Sequence, residues 1–190
     1  MLEDTDDDLT TRTGFRFHIR QATPQDEAIV AEFFTHVSPE DIRFRFLSGM
    51  KTVSHERLVA MTRVDDPRVL NFLAFAPNKT LLAVAMLAAS EDAQRGEVAL
   101  TIRNDFKHQG ISWEMLAHIC RYAERHNFKS IESLESRENH AAIELERDME
   151  FQVCDDEDDP TVVVLRRDIK PQPSSDAAPL DSSEVSHMLR

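Results

Sequence analysis

Cysteine, glycine, tyrosine and long apolar runs are all scarce in this chain. Its 190 residues hold two cysteines, Cys120 and Cys154, far apart and without a CxxC pair. That excludes a disulfide-stapled scaffold and a thiolate metal site, and it reads as a reducing, cytoplasmic setting. Eight histidines show no HxxxH or His–Cys ligand spacing, so no metal is expected. No apolar stretch approaches the ~18 residues of a membrane span. The N-terminus is acidic before any apolar run, which is unlike a signal peptide. Basic residues are also in short supply, 22 against 35 acids, for a net charge of −13. Without a basic face, binding to a nucleic-acid backbone is not expected.

What is present is enough for one folded core. Hydrophobic residues make up 41% of the chain, and a chain this long supports a single domain without staples. The acidity sits in an arm (Glu3, Asp4, Asp6, Asp7, Asp8) and in the run Asp155-Asp156-Glu157-Asp158-Asp159, leaving the body nearly neutral. The polar, aromatic-free segment 1–14 reads as a disordered arm, and the Pro/Ser/Asp-rich segment 170–190 as a disordered tail. Residues 15–169 between them form the domain. Alternation from Phe15 to Arg20 predicts a strand. Thr23-Pro24 and Ser38-Pro39 open helices with proline in the first turn, and a third helix starts near His55. Residues 69–76 and 80–88 form a hairpin around Pro77-Asn78-Lys79. A strand over 96–103, an amphipathic helix, a strand over 130–136, a helix capped by Asn139 and a closing hairpin (151–154 with 161–167) complete the chain. A β–α–β crossover requires one parallel pair, so the fold class is mixed α/β with a mostly antiparallel sheet.

The chemistry-bearing stretch runs from Glu97 to Trp113. Strand alternation sends Val98, Leu100 and Ile102 to one face, and Glu97, Ala99 and Thr101 to the other. The strand then turns into a helix near Gly110. A helix N-terminus offers unpaired N–H groups and the positive end of the macrodipole, both favourable to phosphate. Gly110, one of four glycines, lets backbone approach phosphate oxygens closely. Lys107 and Gln109 add a charge and a donor. An ordinary strand–helix turn containing one glycine would look the same, so the turn does not settle the matter alone.

Order and residues together resemble the GNAT superfamily of acyl-CoA-dependent N-acetyltransferases, and within it the acetyltransferase domain of bacterial Pat-type protein lysine acetyltransferases. The family's pyrophosphate loop, Gln/Arg-x-x-Gly-x-Gly/Ala, is matched by Lys107-His108-Gln109-Gly110-Ile111-Ser112, preceded by Asp105-Phe106. The segment Ile19–Asp26 and the run from Phe33-Phe34 through Ser38-Pro39-Glu40 are also similar. Asn139, Ala142, Leu145 and Phe151 follow the family's Asn-x-x-Ala-x-x-Leu pattern before its Gly-Phe. The resemblance spans roughly residues 15–169. It implies a GNAT fold with a splayed parallel strand pair, and direct attack of an amine on the thioester of acetyl-CoA. The acceptor would be a protein lysine or a small cationic amine, and a homodimer is allowed. Backbone of Leu100, Thr101 and Ile102 would hold the pantetheine arm, Lys107–Ser112 the pyrophosphate, and Asn139 the cofactor or a water. Glu97 falls where Pat-like enzymes carry a glutamate base, and burial would raise its pKa toward the useful range.

Four departures matter. Lys107 replaces Gln/Arg, Ser112 replaces Gly/Ala, and Glu150 replaces the Gly before Phe151. Glu146 occupies the position where many relatives place a tyrosine acid, and the only tyrosine is Tyr122. A tyrosine acid at that position is therefore excluded. These changes keep a rival open: a non-catalytic acyl-CoA-binding or protein-interaction module on the same fold. The acid run 155–159, in the hairpin that borders the acceptor site in relatives, would attract a basic acceptor or serve solubility alone. Cys120 and Trp113 fall on the apolar stripe of the helix after Gly110, where packing is expected.

Overall fold

A computed structural model describes residues 5–50, 52–155 and 159–169. The elements, in chain order, are β1 (Asp7–Thr10), β2 (Arg16–Gln21), α1 (Glu27–Thr35), α2 (Pro39–Phe46), α3 (His55–Thr62), β3 (Val69–Phe75), β4 (Leu81–Ala89), β5 (Arg95–Ile102), α4 (Ile111–Arg125), β6 (Ser130–Ser136), α5 (His140–Asp148), β7 (Gln152–Asp155) and β8 (Val162–Asp168). The strands form one sheet in the order β1-β2-β3-β4-β5-β6-β8-β7. Among the described residues only β5 and β6 run parallel, joined by α4 as the crossover. This is the mixed α/β architecture expected from the order of strand-like and helical patterns.

The sheet is nearly continuous in apolar residues at its centre because both faces are covered. On one side Phe17, Ile19, Phe72, Val98 and Leu165 pack against Met115, Ile119 and Cys120 of α4 and Met149 beyond α5. On the other, Leu73, Leu81 and Val84 pack against Val30, Phe33, Ile42 and Leu58 of the first three helices. The apolar stripe of α4 is thus core, Cys120 included, as its spacing predicts.

The first helical turn is fixed by its sequence signature. Thr23 and Asp26 form a reciprocal capping box, with Thr23 N–H donating to Asp26 at 2.8 Å. Asp26 also receives a bidentate pair from Arg20, at 2.8 and 2.7 Å. The Arg20 guanidinium is the main cause holding the Asp26 carboxyl down at about 2. Because its folded pKa lies below the ordinary 3.8, the stabilisation is present above pH ~4 and is lost as pH falls through 2. Asp26→Asn is expected to cost about 2 kcal/mol at pH 7 and much less near pH 2, as measured by urea unfolding.

The segment expected as a mobile arm, 1–14, needs correction over its described part. Residues 7–10 pair antiparallel with β2 as β1, and Leu9 enters the core. Thr11 and Gly14 close the turn between the two strands, with Gly14 at φ 86°. Only Leu9 faces inward, so the apolar alternation that marks a strand is missing. The aspartates are at home on an edge, where charge discourages further pairing. The core of the acid run, 156–158, and the tail 170–190 lie outside the described residues.

Candidate active site

Strands β5 and β6 pair only over Arg95–Glu97 with Ser130–Glu132. Beyond that rung they part: β5 stays on β4 as far as Ile102, and β6 follows β8 along its whole length. The backbone of residues 98–102 on the β6 side therefore has no strand to pair with. A cavity of about 290 Å³ fills the gap. Val98–Ile102 line one wall, Leu134 and Glu135 the other, with Asn139, Leu145 and Glu146 behind and Lys107, His108, Gly110 and Ser112 at its mouth. Thr101 is buried there with a hydroxyl that has no partner among the described residues.

The mouth is the strand–helix turn that the sequence singled out. A short 3₁₀ turn, Asn104–Phe106, is followed by His108 and Gly110 at positive φ, 62° and 83°. A Cβ on Gly110 would also meet the Thr11 Cβ at 3.3 Å, so conformation and space both require glycine. The first bond back into α4 runs from the Glu114 N–H to the Gly110 carbonyl at 3.2 Å. The N–H groups of Ile111, Ser112 and Trp113 therefore have no carbonyl a turn earlier. The N-terminal segment braces this turn, with Arg12 over the Trp113 ring at 5.2 Å and the Thr13 hydroxyl 3.5 Å from the Gln109 carbonyl.

Of the residues expected at a cofactor site, Leu100, Thr101, Ile102, Lys107, His108, Gly110, Ser112 and Asn139 line the one cavity. Gln109 is not among the lining residues and meets the N-terminal segment through its backbone carbonyl, and the Ile111 side chain is buried in the core. Their part in the turn is the backbone's. Lys107 was expected to lend a free charge. Its ammonium is instead 2.6 Å from Asp41 on α2, whose carboxylate also accepts from the hydroxyl of Ser38, the residue that caps that helix by accepting from the Asp41 N–H. The pair ties α2 to the turn and leaves binding there mainly to N–H groups.

Glu97 stands on the last rung before the strands part, opposite Ala88 and Glu132. It is exposed, not buried as expected, and no hydrogen bond or ion pair engages it among the described residues. Burial falls on two other carboxyls. Glu146, 6% exposed, is hydrogen-bonded to the Ser133 hydroxyl. Desolvation first, then the charge of Glu135, push it up to about 8. Glu135 accepts from the Asn139 amide at 2.7 Å and is raised by burial to about 7, against that hydrogen bond and the charge of Arg45. Asn139 also caps α5 through the Ala142 N–H. Arg45 of α2 reaches the same cavity with its Nε buried and unpartnered. Desolvation lowers it to about 10, against the favourable charges of Glu97 and Glu135.

Sequence reasoning missed Arg45 and Glu135, and saw Glu146 only as a missing tyrosine. Arg43-Phe44-Arg45-Phe46 alternates like a strand, although it lies in a helix, so its periodicity hides which arginine faces inward. Glu135 had one usable signal: it lies four residues before Asn139 across the strand–helix turn.

A family model described as "Acetyltransferase (GNAT) family" matches residues 32–151. The Pseudomonas aeruginosa "Acetyltransferase PA5475" is 27% identical over 151 residues, covering 78% of this chain and 81% of that protein. The GNAT domain of S. lividans PAT superposes with a TM-score of 0.79 at 20% identity, over 86% of this chain and 96% of that one. The Escherichia coli ribosomal-protein-S18-alanine N-acetyltransferase superposes with a TM-score of 0.64 at 15% identity, over 84% and 97%. Among the described residues, no group of metal-ligating side chains is assembled, and no helix is long and apolar enough to cross a membrane.

Proposed function

The chain belongs to the acetyltransferase (GNAT) family, and from that premise we propose that it moves an acetyl group from acetyl-CoA to a primary amine, with Glu97 as base and Glu146 as proton donor. The observation that carries the reading is the parted β5–β6 pair with a helix N-terminus at its mouth and carboxyl groups inside. The residues fit the cofactor. The amides ahead of α4 suit a diphosphate. The unpaired edge of residues 98–102 and the unpartnered Thr101 hydroxyl suit the amide-bearing pantetheine arm.

When bound, acetyl-CoA supplies an acyl group on a thiol leaving group. Glu97, free of partners and open to solvent, takes the proton that an ammonium must lose before its nitrogen can attack. As the new C–N bond forms, the C–S bond breaks and the sulfur needs a proton. Glu146 holds one through neutral pH, because burial sets it at about 8, near the ~8.5 of an ordinary thiol. Asn139 and Ser133 fix the two inner carboxyls in place.

Calorimetry with acetyl-CoA, together with release of free CoA over an amine panel, tests the reading. Binding with turnover supports it, and binding without turnover makes the chain a binding module. Gly110→Ala is expected to weaken acetyl-CoA binding about tenfold, because its Cβ strains a positive-φ site and pushes on Thr11. Unchanged affinity would remove the turn from the cofactor site.

A further inference from the structure

A second and larger cavity, about 870 Å³, opens where the α2 end, α3 and the segment after it cover strands β3 and β4. Its lining holds four arginines, Arg45, Arg57, Arg63 and Arg68, against two aspartates, Asp65 and Asp66. In a chain of net charge −13 this is a local excess of positive charge. The aspartates are already engaged, Asp65 by Arg63 at 3.2 Å and Asp66 by Arg68 at 3.4 Å. Arg45 and Arg57 are not. Among the described residues neither has a carboxylate within ion-pair distance, and both guanidinium groups lie over the Phe46 ring, at 5.2 and 4.9 Å. Two like charges held over one ring repel each other, an arrangement that a bound anion relieves. Asn71, 2% exposed, lines the same cavity with a side-chain oxygen that has no partner among the described residues, a site for a donor on the bound molecule.

This cavity adjoins the proposed thioester site, since Arg45 lines both. The register connects them too. Asn71, Met86 and Ala99 sit side by side across β3, β4 and β5, and so do Val69, Ala88 and Glu97 one step along. Directly opposed residues share a face, so the cavity floor at Val69, Asn71 and Met86 continues to Glu97. Two strand spacings, about 10 Å, separate Val69 from Glu97.

Resting on the acetyl-transfer reading, we propose that this cavity is the acceptor pocket and that the acceptor is a primary amine bearing a carboxylate or phosphate several bonds away. Arg57, with Arg45, holds the anion, while the amine reaches across the Met86–Ala99 row to Glu97. The lateral spacing of Val69 and Glu97 along the cavity floor favours an anion set several bonds from the amine over an α-amino acid, whose carboxylate lies only ~3 Å from its amine. Bidentate recognition by a guanidinium suits either carboxylate or phosphate. The basic acceptor suggested by the acid run would enter against the positive charge of this pocket.

The test compares 6-aminohexanoate, 6-aminohexanamide, 1,6-diaminohexane and 6-aminohexyl phosphate as acceptors with saturating acetyl-CoA. One of the two anionic amines is expected to show a kcat/KM at least about tenfold above the amide and the diamine, and which one does identifies the anion. Arg57→Ala, on an exposed helix position, should raise KM for that amine about tenfold and lower rather than raise it for the diamine, whose second ammonium no longer meets a like charge, while Arg57→Lys restores part of the loss. Calorimetric titration of 6-aminohexanoate and of 6-aminohexyl phosphate into CoA-saturated wild type and Arg57→Ala reads binding without turnover. Equal use of all four amines, a diamine preference, or no difference between the two proteins in either titration overturns the proposal. Where one of those outcomes occurs although acetyl-CoA binds and the diamine is acetylated, only the anionic acceptor falls. If acetyl-CoA does not bind, the acetyl-transfer reading falls and this one with it.

Discussion

Glu97→Gln is expected to lower kcat/KM for the amine by about 10²-fold while leaving acetyl-CoA affinity within about twofold. The separation follows from where the residue stands. Glu97 lies on the last rung of β5–β6 pairing and not among the residues lining the cofactor gap, so its loss should leave that gap intact. It is exposed and makes no hydrogen bond or ion pair among the described residues, so glutamine leaves no partner stranded. The nearest consequence is electrostatic. Arg45 loses one of the two carboxylates that favour its charged form, which would if anything strengthen its hold on an anion. The rate loss should therefore appear in kcat, because an amide cannot accept the ammonium proton. Glu135→Gln is the control, since Glu135 is the other carboxylate whose charge favours that of Arg45. If Glu97→Gln kept the wild-type rate, and Glu135→Gln lost it, the base would be the inner carboxyl.

The fold was legible wherever local pattern and tertiary burial agree. Proline after Thr23 and Ser38 starts helical segments, the apolar stripe of α4 is core, and the β5–α4–β6 crossover forces the single parallel pair. The turn from Lys107 to Ser112 was legible because its demands are local: a positive φ at Gly110 and free amides ahead of a helix. The rest of the site was hidden for two reasons. Arg45, Glu135 and Glu146 meet only because α2, β6 and α5 are brought round one gap, and nothing in the spacing of residues 45, 135 and 146 records that. Burial, which decides their protonation, is a property of the assembled gap. The same holds in reverse for Glu97, where strand alternation gave the face but not the exposure. The N-terminal segment failed differently: β1 has one inward apolar residue, Leu9, and is held by edge pairing that leaves no periodic trace.

The paired inner carboxyls make Glu146→Gln the variant in which stability and rate should move in opposite directions. Glu146 ionises in the folded protein at about 8 against an ordinary 4.5, so between those values the folded state binds the proton that the unfolded chain has lost. Stability therefore falls as pH rises through that window. By pH 8 to 9 the loss from this site amounts to a few kcal/mol, shared with Glu135, whose charge adds to the cost. Glutamine removes the titration and can still meet the Ser133 hydroxyl. The variant should be close to wild type in thermal midpoint near pH 5 and about 10 °C above it near pH 8.5. Its turnover should nonetheless drop by about 10²-fold at pH 7, because an amide does not deliver a proton to a departing thiolate. The alkaline limb of kcat, on which wild-type Glu146 gives up its proton, should disappear with it. A midpoint difference that does not change with pH would mean Glu146 is charged in its pocket. A retained rate with the expected pH slope would leave Glu146 as a buried structural acid and assign protonation of the sulfur to water.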